Sequence, residues 1–130
     1  MKIRTADAIK ASIGKTISHI EVSDADVDIL FDDGCRLYIL DEASYCCETR
    51  YMTCDDDATI HAGAKLVSVE EREVGDSEYR PEWEEGYDVH DVAFLVILTT
   101  AGALTVATHN EHNGYYGGFG IAAFFHPPLN

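Results

Sequence analysis

The chain has 130 residues, of which 46% are hydrophobic, 10% aromatic and 25% charged, and this composition is typical of one folded domain rather than of a disordered chain. Its 24 acidic and 9 basic residues give a formal charge of −15 at pH 7, which excludes an electrostatic footprint for nucleic acid or for an anionic membrane. No run reaches the roughly 18 apolar residues of a membrane span, and Met1 is followed by no signal-peptide pattern, so we expect a cytoplasmic protein.

Alternating apolar and polar residues predict antiparallel strands in the first third of the chain. Residues 5–12 favour a short helix, which Thr5 caps and Gly14 ends. From residue 15 the hydrophobic period changes to two, and a second strand follows over 27–31. The Asp33-Gly34 pair predicts a hairpin into a third strand over 36–40, because glycine accepts a positive φ.

The remaining patterns predict further strands around an acidic loop. The strands are expected over 43–52, 65–73, 92–98, 103–108 and 121–125, with a helical turn after the aspartates at 55–57 and a closing Pro127-Pro128 pair. Residues 92–98 are continuously apolar, which predicts the central strand, buried on both faces. The sum is one α+β domain over residues 1–130, mainly an antiparallel sheet of about six or seven strands with one or two short helices.

Residues 109–119 are predicted to be a loop that leaves the end of the 103–108 strand. The loop combines two histidines, two asparagines, two tyrosines and three glycines. Tyrosine rings can stack on a base, amides offer paired donors and acceptors, and glycines let the backbone approach a ligand closely. Stacking contributes about 1 to 3 kcal/mol per base. The loop therefore favours recognition over catalysis, and tyrosines that only pack on the sheet are the alternative.

A metal site is a second interpretation of the same loop. His109, Glu111 and His112 have the ligand types of a transition-metal site, although the glycines argue against a helix there. The alternative is turn residues whose imidazoles bond to the backbone. The aspartates at 55–57 lack the spacing of a calcium loop. Because no nucleophile elbow or phosphate-cradling glycine loop is present, we expect no enzyme and no cofactor.

The cysteines and the acidic run at 70–91 each have a structural interpretation and a functional one. The four cysteines, Cys35, Cys46, Cys47 and Cys54, lack zinc spacing and are expected to be reduced thiols, with a vicinal disulfide or a reactive thiol as the alternative. The acidic residues of 70–91 predict a solvated loop. The functional alternatives for that acidic run are a DNA-mimicking surface and a cation site.

Four motifs, in chain order, resemble a family of small phage-borne proteins of a domain of unknown function that includes the Thoeris anti-defence sponges. The motifs are Asp33-Gly34, Cys46-Cys47-Glu48, the acidic turn at 55–57 and Asn113-Gly114-Tyr115-Tyr116, and the resemblance covers residues 13–119. It implies a non-enzymatic sponge, a symmetric oligomer built on a dimer. Its interface pockets would sequester cyclised ADP-ribose signals made by bacterial TIR-domain enzymes, and some members also hold cyclic oligonucleotides.

By the same resemblance, Phe94 matches an aromatic residue on the central strand, and residues 113–116 match the family turn. The chain departs from its relatives at Ala107-Thr108, where they have Arg-Trp, and in its longer acidic loop. A diphosphate ligand in so acidic a protein needs local positive charge, from Arg36, Arg50 or backbone amides. Arg50 is the preferred candidate because it follows the Cys-Cys-Glu triplet. If neither arginine reaches the pocket, the ligand is neutral or absent.

The predicted function is sequestration of a cyclic ADP-ribose isomer or a cyclic oligonucleotide by a homo-oligomer, in the host cytoplasm if the protein is phage-encoded. The alternatives are an acidic protein-interaction or DNA-mimic protein, and a small metal-dependent hydrolase. The predicted ligand-binding residues are Arg36, Arg50, Phe94, His109, Asn110, His112, Asn113, Gly114, Tyr115 and Tyr116.

Overall fold

The computed structural model describes residues 3–43, 48–73, 89–112 and 118–128. In chain order these ranges contain β1 (Ile3–Arg4), α1 (Thr5–Ser12), β2 (Ile17–Val22), β3 (Asp26–Phe31), β4 (Arg36–Asp41), β5 (Glu48–Thr53), a 3₁₀ turn (Ala58–His61), β6 (Leu66–Glu73), β7 (Val89–Thr99), β8 (Gly102–His112) and β9 (Ile121–His126). The mainly antiparallel α+β class is confirmed. No helix within these ranges is long and apolar enough to cross a lipid bilayer.

The strands form two sheets rather than the single sheet that the sequence predicts. A five-stranded sheet has the order β1-β9-β4-β3-β2, and a four-stranded sheet has the order β5-β8-β7-β6. The nine strands of the described ranges also exceed the six or seven predicted. The sheets separate because β9, which follows β8 in the chain, pairs with β4 instead of continuing the four-stranded sheet.

Short-range signals place several elements correctly. The predicted hairpin at Asp33-Gly34 joins β3 to β4, and Gly34 adopts a φ of +87°. The predicted helix matches α1. Asp57 caps the 3₁₀ turn, since its Oδ1 accepts a hydrogen bond from the Thr59 amide at 3.0 Å. These features depend on neighbouring residues alone, so sequence patterns are sufficient to predict them.

One hydrophobic core joins the two sheets. Because side chains alternate between faces along a strand, each sheet turns one apolar row inward. Ile29, Leu37 and Ile39 from the five-stranded sheet share a buried cluster with Leu95 and Ile97 from the four-stranded sheet. The described residues therefore form a sandwich of two sheets around one core.

Strand β7 is interior to its sheet, as predicted, but it is not buried on both faces. Leu95 and Ile97 are fully buried, whereas Phe94 and Val96 are half-buried and Leu98 is 38% exposed. Only the inward row contacts the other sheet, so the apolar outward row lies on an open face within the described part of the chain. The prediction of double burial was wrong for this reason.

The Gly34 turn also supports the C-terminal proline pair. A Cβ added at Gly34 would lie 3.0 Å from the Pro128 Cβ, whereas a Cβ at Gly63 would have nothing within 4 Å. Both glycines have a φ of +87°, so their backbone strain on substitution is matched. We expect Gly63→Ala to lower the free energy of unfolding by about 1 kcal/mol, and Gly34→Ala to lower it by about 2 kcal/mol. Urea unfolding measures both, and equal losses would contradict packing of Pro128 on this turn.

Candidate functional site

Residues 109–112 are the end of strand β8 rather than the start of a loop. β8 has a partner on each side there, since His112 pairs with Glu48 of β5 and with Val89 of β7. Paired strands on both sides satisfy the backbone hydrogen bonds of β8, so its regular geometry extends four residues past the predicted end at Thr108. The loop prediction was wrong for these residues.

The extension of β8 places its four polar side chains on opposite faces of the sheet. His109 and Glu111 face outward, whereas Asn110 and His112 face the interior and are buried. The three predicted metal ligands, His109, Glu111 and His112, therefore do not converge. Alternation with a period of two prevents residues three apart on a strand from sharing a face.

On the outward face, Tyr51, His90 and His109 form what we call the ring cluster. The Tyr51 and His109 rings stack with centroids 4.5 Å apart and planes within 9° of parallel. His109 Nδ1 lies 2.9 Å from His90 Nε2, and His109 Nε2 lies 2.8 Å from the Thr53 hydroxyl. The Tyr51 hydroxyl donates to Glu111 Oε2 at 2.6 Å. The rings are thus fixed by hydrogen bonds as well as by packing.

His109 is held in its neutral form. Burial lowers the pKa of His109 below the ordinary histidine value, the neighbouring His90 lowers it further, and Glu111 opposes the shift in part. A neutral imidazole has one donor and one acceptor nitrogen, which matches a position between a hydroxyl and a second imidazole. At pH 7 the stacked pair is therefore an uncharged aromatic surface.

A groove adjoins the ring cluster on the same face. Thr53, Ala107 and Phe94 lie side by side on three neighbouring strands, because Ala107 pairs with both of the others. The small Ala107 side chain leaves a depression of about 160 Å³ between its neighbours. The groove is lined by Thr53, Asp55, Asp56, Phe94, Thr105 and Ala107. Of the predicted ligand-binding residues, Phe94 and His109 thus share one outward surface.

Arg50 lies on the inward face of the same sheet, in a polar network at one end of the sandwich. Its guanidinium contacts Asp41 of the other sheet at 2.7 Å and Glu48 at 2.8 Å, and its side chain is only 10% exposed. Burial by itself lowers the pKa of Arg50, but the hydrogen bonds to Glu48 and Asp41 favour the charged form, so the pKa is raised. Arg50 therefore links the two sheets through its ion pairs with Asp41 and Glu48.

The polar network around Arg50, Asp41 and Glu48, which we call the inward network, also holds the chain that enters β9. The Gly118 carbonyl accepts hydrogen bonds from Arg50 at 3.0 Å and from Asn110 at 3.2 Å. Asp91 accepts the Gly118 amide at 3.3 Å and contacts His112 Nε2 at 2.7 Å. Asn110 and His112 are thus engaged in fixing the main chain at Gly118.

Arg36 is remote from both the ring cluster and the inward network. It stands at the start of β4, whereas Asp41, the partner of Arg50, ends that strand, about 17 Å away at roughly 3.4 Å per residue. Arg36 is 43% exposed and contacts Asp28 at 3.3 Å. Neither predicted arginine belongs to the outward surface of Phe94 and His109.

Several predicted residues lie outside the described ranges, and the predictions for them stand as predictions. They are Cys46, Cys47, Asn113, Gly114, Tyr115, Tyr116 and most of the acidic run at 70–91. The other two cysteines are free thiols, as expected, with Cys35 buried and Cys54 half-buried.

Tyr51, His90 and Thr53 were missed by the sequence interpretation. The alternation of residues 48–53 indicates that Tyr51 and Thr53 share a face, and this signal was available. Their proximity to His109 depends on the pairing of β5 with β8, between residues 56 to 60 positions apart in the chain. No local pattern specifies that pairing.

Comparison with known proteins identifies a family but no characterised relative. Residues 10–120 match a family model described as a domain of unknown function, DUF7448. No curated protein and no solved structure matches the chain.

Proposed function

The chain belongs to the DUF7448 family of domains of unknown function, and we propose that it binds and sequesters a small nucleotide-derived ligand without consuming it. The binding surface is the outward face of the four-stranded sheet. The observation that carries the proposal is the parallel Tyr51–His109 stack beside Phe94 and an open groove.

The chemistry of this surface suits the nucleoside part of a ligand. Rings held by hydrogen bonds lose little conformational freedom when a base stacks on them, so more of the stacking energy contributes to affinity. Neutral His109 adds no charge to the site, and Arg50 and Arg36 lie elsewhere. Recognition through the base and sugar, rather than through a phosphate, is therefore the mode that these residues support.

The resemblance of the four sequence motifs supports a finer proposal. We propose a phage-type sponge that withholds a cyclic ADP-ribose isomer or a cyclic oligonucleotide from bacterial defence, in the host cytoplasm. A homo-oligomer, a dimer or larger, would complete its pockets. The predicted contribution of Asn113, Gly114, Tyr115 and Tyr116 belongs to this finer proposal.

Recovery of intact ligand tests the proposal directly. The purified protein is incubated with cyclic ADP-ribose isomers and cyclic dinucleotides, freed of unbound ligand and heat-denatured, and the released molecules are identified by mass spectrometry. We expect one of these compounds to be released unchanged. If none is retained, the sponge proposal fails, and partner capture through the acidic run at 70–91 becomes the better hypothesis.

A hydrolase is the second candidate, because Thr53, His109 and His90 form a continuous hydrogen-bonded chain. The chain joins a hydroxyl to a neutral imidazole and that imidazole to a second one, at 2.8 and 2.9 Å. A nucleophile, a base and a group that orients the base have this order in enzymes that use covalent catalysis. In the same assay, degraded ligand from the wild type and intact ligand from Thr53→Val would favour this candidate over the sponge.

A further inference from the structure

We propose that the groove beside the ring cluster receives the ribose of the bound ligand, and that the Asp55 carboxylate accepts hydrogen bonds from the 2′ and 3′ hydroxyls. This inference rests on the proposed function and deepens it by naming the ligand class. The ligand is a nucleoside or nucleotide with a free vicinal diol, and its phosphate, if it has one, lies outside the groove. Of the proposed ligands this selects a cyclic ADP-ribose isomer that keeps such a diol over a 3′–5′ cyclic oligonucleotide, whose 3′ hydroxyls are esterified.

The spacing of the two features fits the two halves of a nucleoside. Tyr51 and His109 of the ring cluster each lie two residues along their strands from Thr53 and Ala107 of the groove. Two residues of a strand span about 7 Å. A base that packs on the ring cluster and the edge of Phe94 therefore places its attached sugar over Ala107.

Asp55 is positioned for a ligand by neighbours that are themselves fixed. Asp56 Oδ2 accepts the Thr105 amide at 2.8 Å, and Asp57 Oδ1 accepts the Thr59 hydroxyl at 2.6 Å and the Thr59 amide at 3.0 Å. These bonds anchor the backbone after Asp55. Within the described ranges the exposed Asp55 carboxylate makes no hydrogen bond, although it lines the groove. Its acceptor oxygens remain for a ligand.

Charge decides which part of a nucleotide occupies the groove. An ionised carboxylate is an acceptor only, so it pairs with hydroxyl donors and repels phosphate. Dinucleotide-binding folds also use a carboxylate to bind a ribose hydroxyl. Asp55 and Asp56 both line the groove, and no lysine or arginine is among its lining residues. The sugar, not the phosphate, is therefore the group that the groove accepts.

Calorimetric titration with three probes tests the inference: adenosine, 2′,3′-dideoxyadenosine and adenosine 5′-monophosphate. For the wild type we expect the loss of the diol to weaken binding about tenfold or more, because hydrogen bonds to a charged acceptor are lost. The monophosphate is expected to bind more weakly than adenosine at low salt, with a smaller difference at high salt. In Asp55→Ala, adenosine and dideoxyadenosine should bind equally.

Asp24→Ala is the matched control, since Asp24 is also an exposed aspartate but does not line the groove. It lines a neighbouring cleft with Val22 and Met52, and the two depressions share Asp56. It should keep the full preference for adenosine over dideoxyadenosine. If the wild type binds both nucleosides equally, or if both variants lose the preference alike, the role of the groove is overturned while the proposed function stands. If the wild type binds none of these probes or the cyclic compounds of the retention assay, the proposed function is overturned too.

Discussion

Replacing Arg50 with alanine is expected to lower the free energy of unfolding by about 3 to 5 kcal/mol. The substitution leaves the Asp41 and Glu48 carboxylates, which are 6% and 3% exposed, without their cation in the interior. It also removes a donor from the Gly118 carbonyl. The loss of the cation costs more than the missing attraction, because both carboxylates have already lost most of their hydration. Urea unfolding followed by circular dichroism measures the loss.

Arg36→Ala is the matched control for this prediction. The same side chain is removed, but Arg36 is 43% exposed and its partner Asp28 is 22% exposed. Such an ion pair contributes about 0 to 1 kcal/mol. If Arg50→Ala costs no more than Arg36→Ala, the inward network does not bridge the sheets in the way described.

The triple variant Arg50→Met, Asp41→Leu, Glu48→Met separates stability from positioning. Removal of all three charges leaves no unpaired group of this trio, so we expect a much smaller loss than for Arg50→Ala alone. The Gly118 carbonyl and the Gly120 amide would still lose their bonds to Arg50 and Asp41. A stable triple variant with weakened ligand retention would assign the network to holding the chain before β9.

The predictions that succeeded depend on short stretches of sequence. The Asp33-Gly34 hairpin, the helix over residues 5–12 and the turn capped by Asp57 each follow from the conformational preference of one or two residues. The apolar alternation also located β2 to β4 closely. These signals specify elements, and none of them specifies which strands become neighbours.

The division into two sheets was not predictable because it depends on long-range pairing. β9 pairs with β4 over some 80 residues of intervening chain, as the bond from the Gly120 amide to Asp41 illustrates with its separation of 79 residues. The apolar run at 92–98 was ambiguous for a related reason. A strand with two apolar rows is buried on both faces only if a layer covers each face, and residues 92–98 alone do not specify the layers.

The candidate site was only partly predictable, again because it depends on long-range strand pairing. His109 was selected by residue type and Phe94 by the family resemblance, and both belong to the outward surface. Asn110 and His112 were selected with them, but a strand sends neighbouring residues to opposite faces. The glycines after residue 112 predict a loop at residues 109–112, and a loop does not impose the alternation of a strand. Tyr51 and His90 come from two other strands, so only the sheet register shows them.

Tyr51→Ala is expected to weaken ligand retention by about 5- to 150-fold, the equivalent of roughly 1 to 3 kcal/mol of lost stacking. The substitution removes one ring of the stack and frees the His109 ring from its parallel neighbour. Tyr51→Phe keeps the ring and removes the hydroxyl that donates to Glu111. It should therefore retain most of the affinity. The dissociation constant for adenosine, measured by calorimetry, distinguishes the two variants.

Tyr38→Ala is the control for the loss of a tyrosine as such. Tyr38 lies on the five-stranded sheet, where its ring meets His126 edge to face with centroids 5.4 Å apart. This variant should bind adenosine as the wild type does. An equal loss of affinity in Tyr38→Ala and Tyr51→Ala would indicate a general effect on stability. Full affinity in Tyr51→Ala would show that the stacked pair does not bind the ligand. A base that packs on the pair loses part of its contact area when the Tyr51 ring is removed, so its affinity should fall.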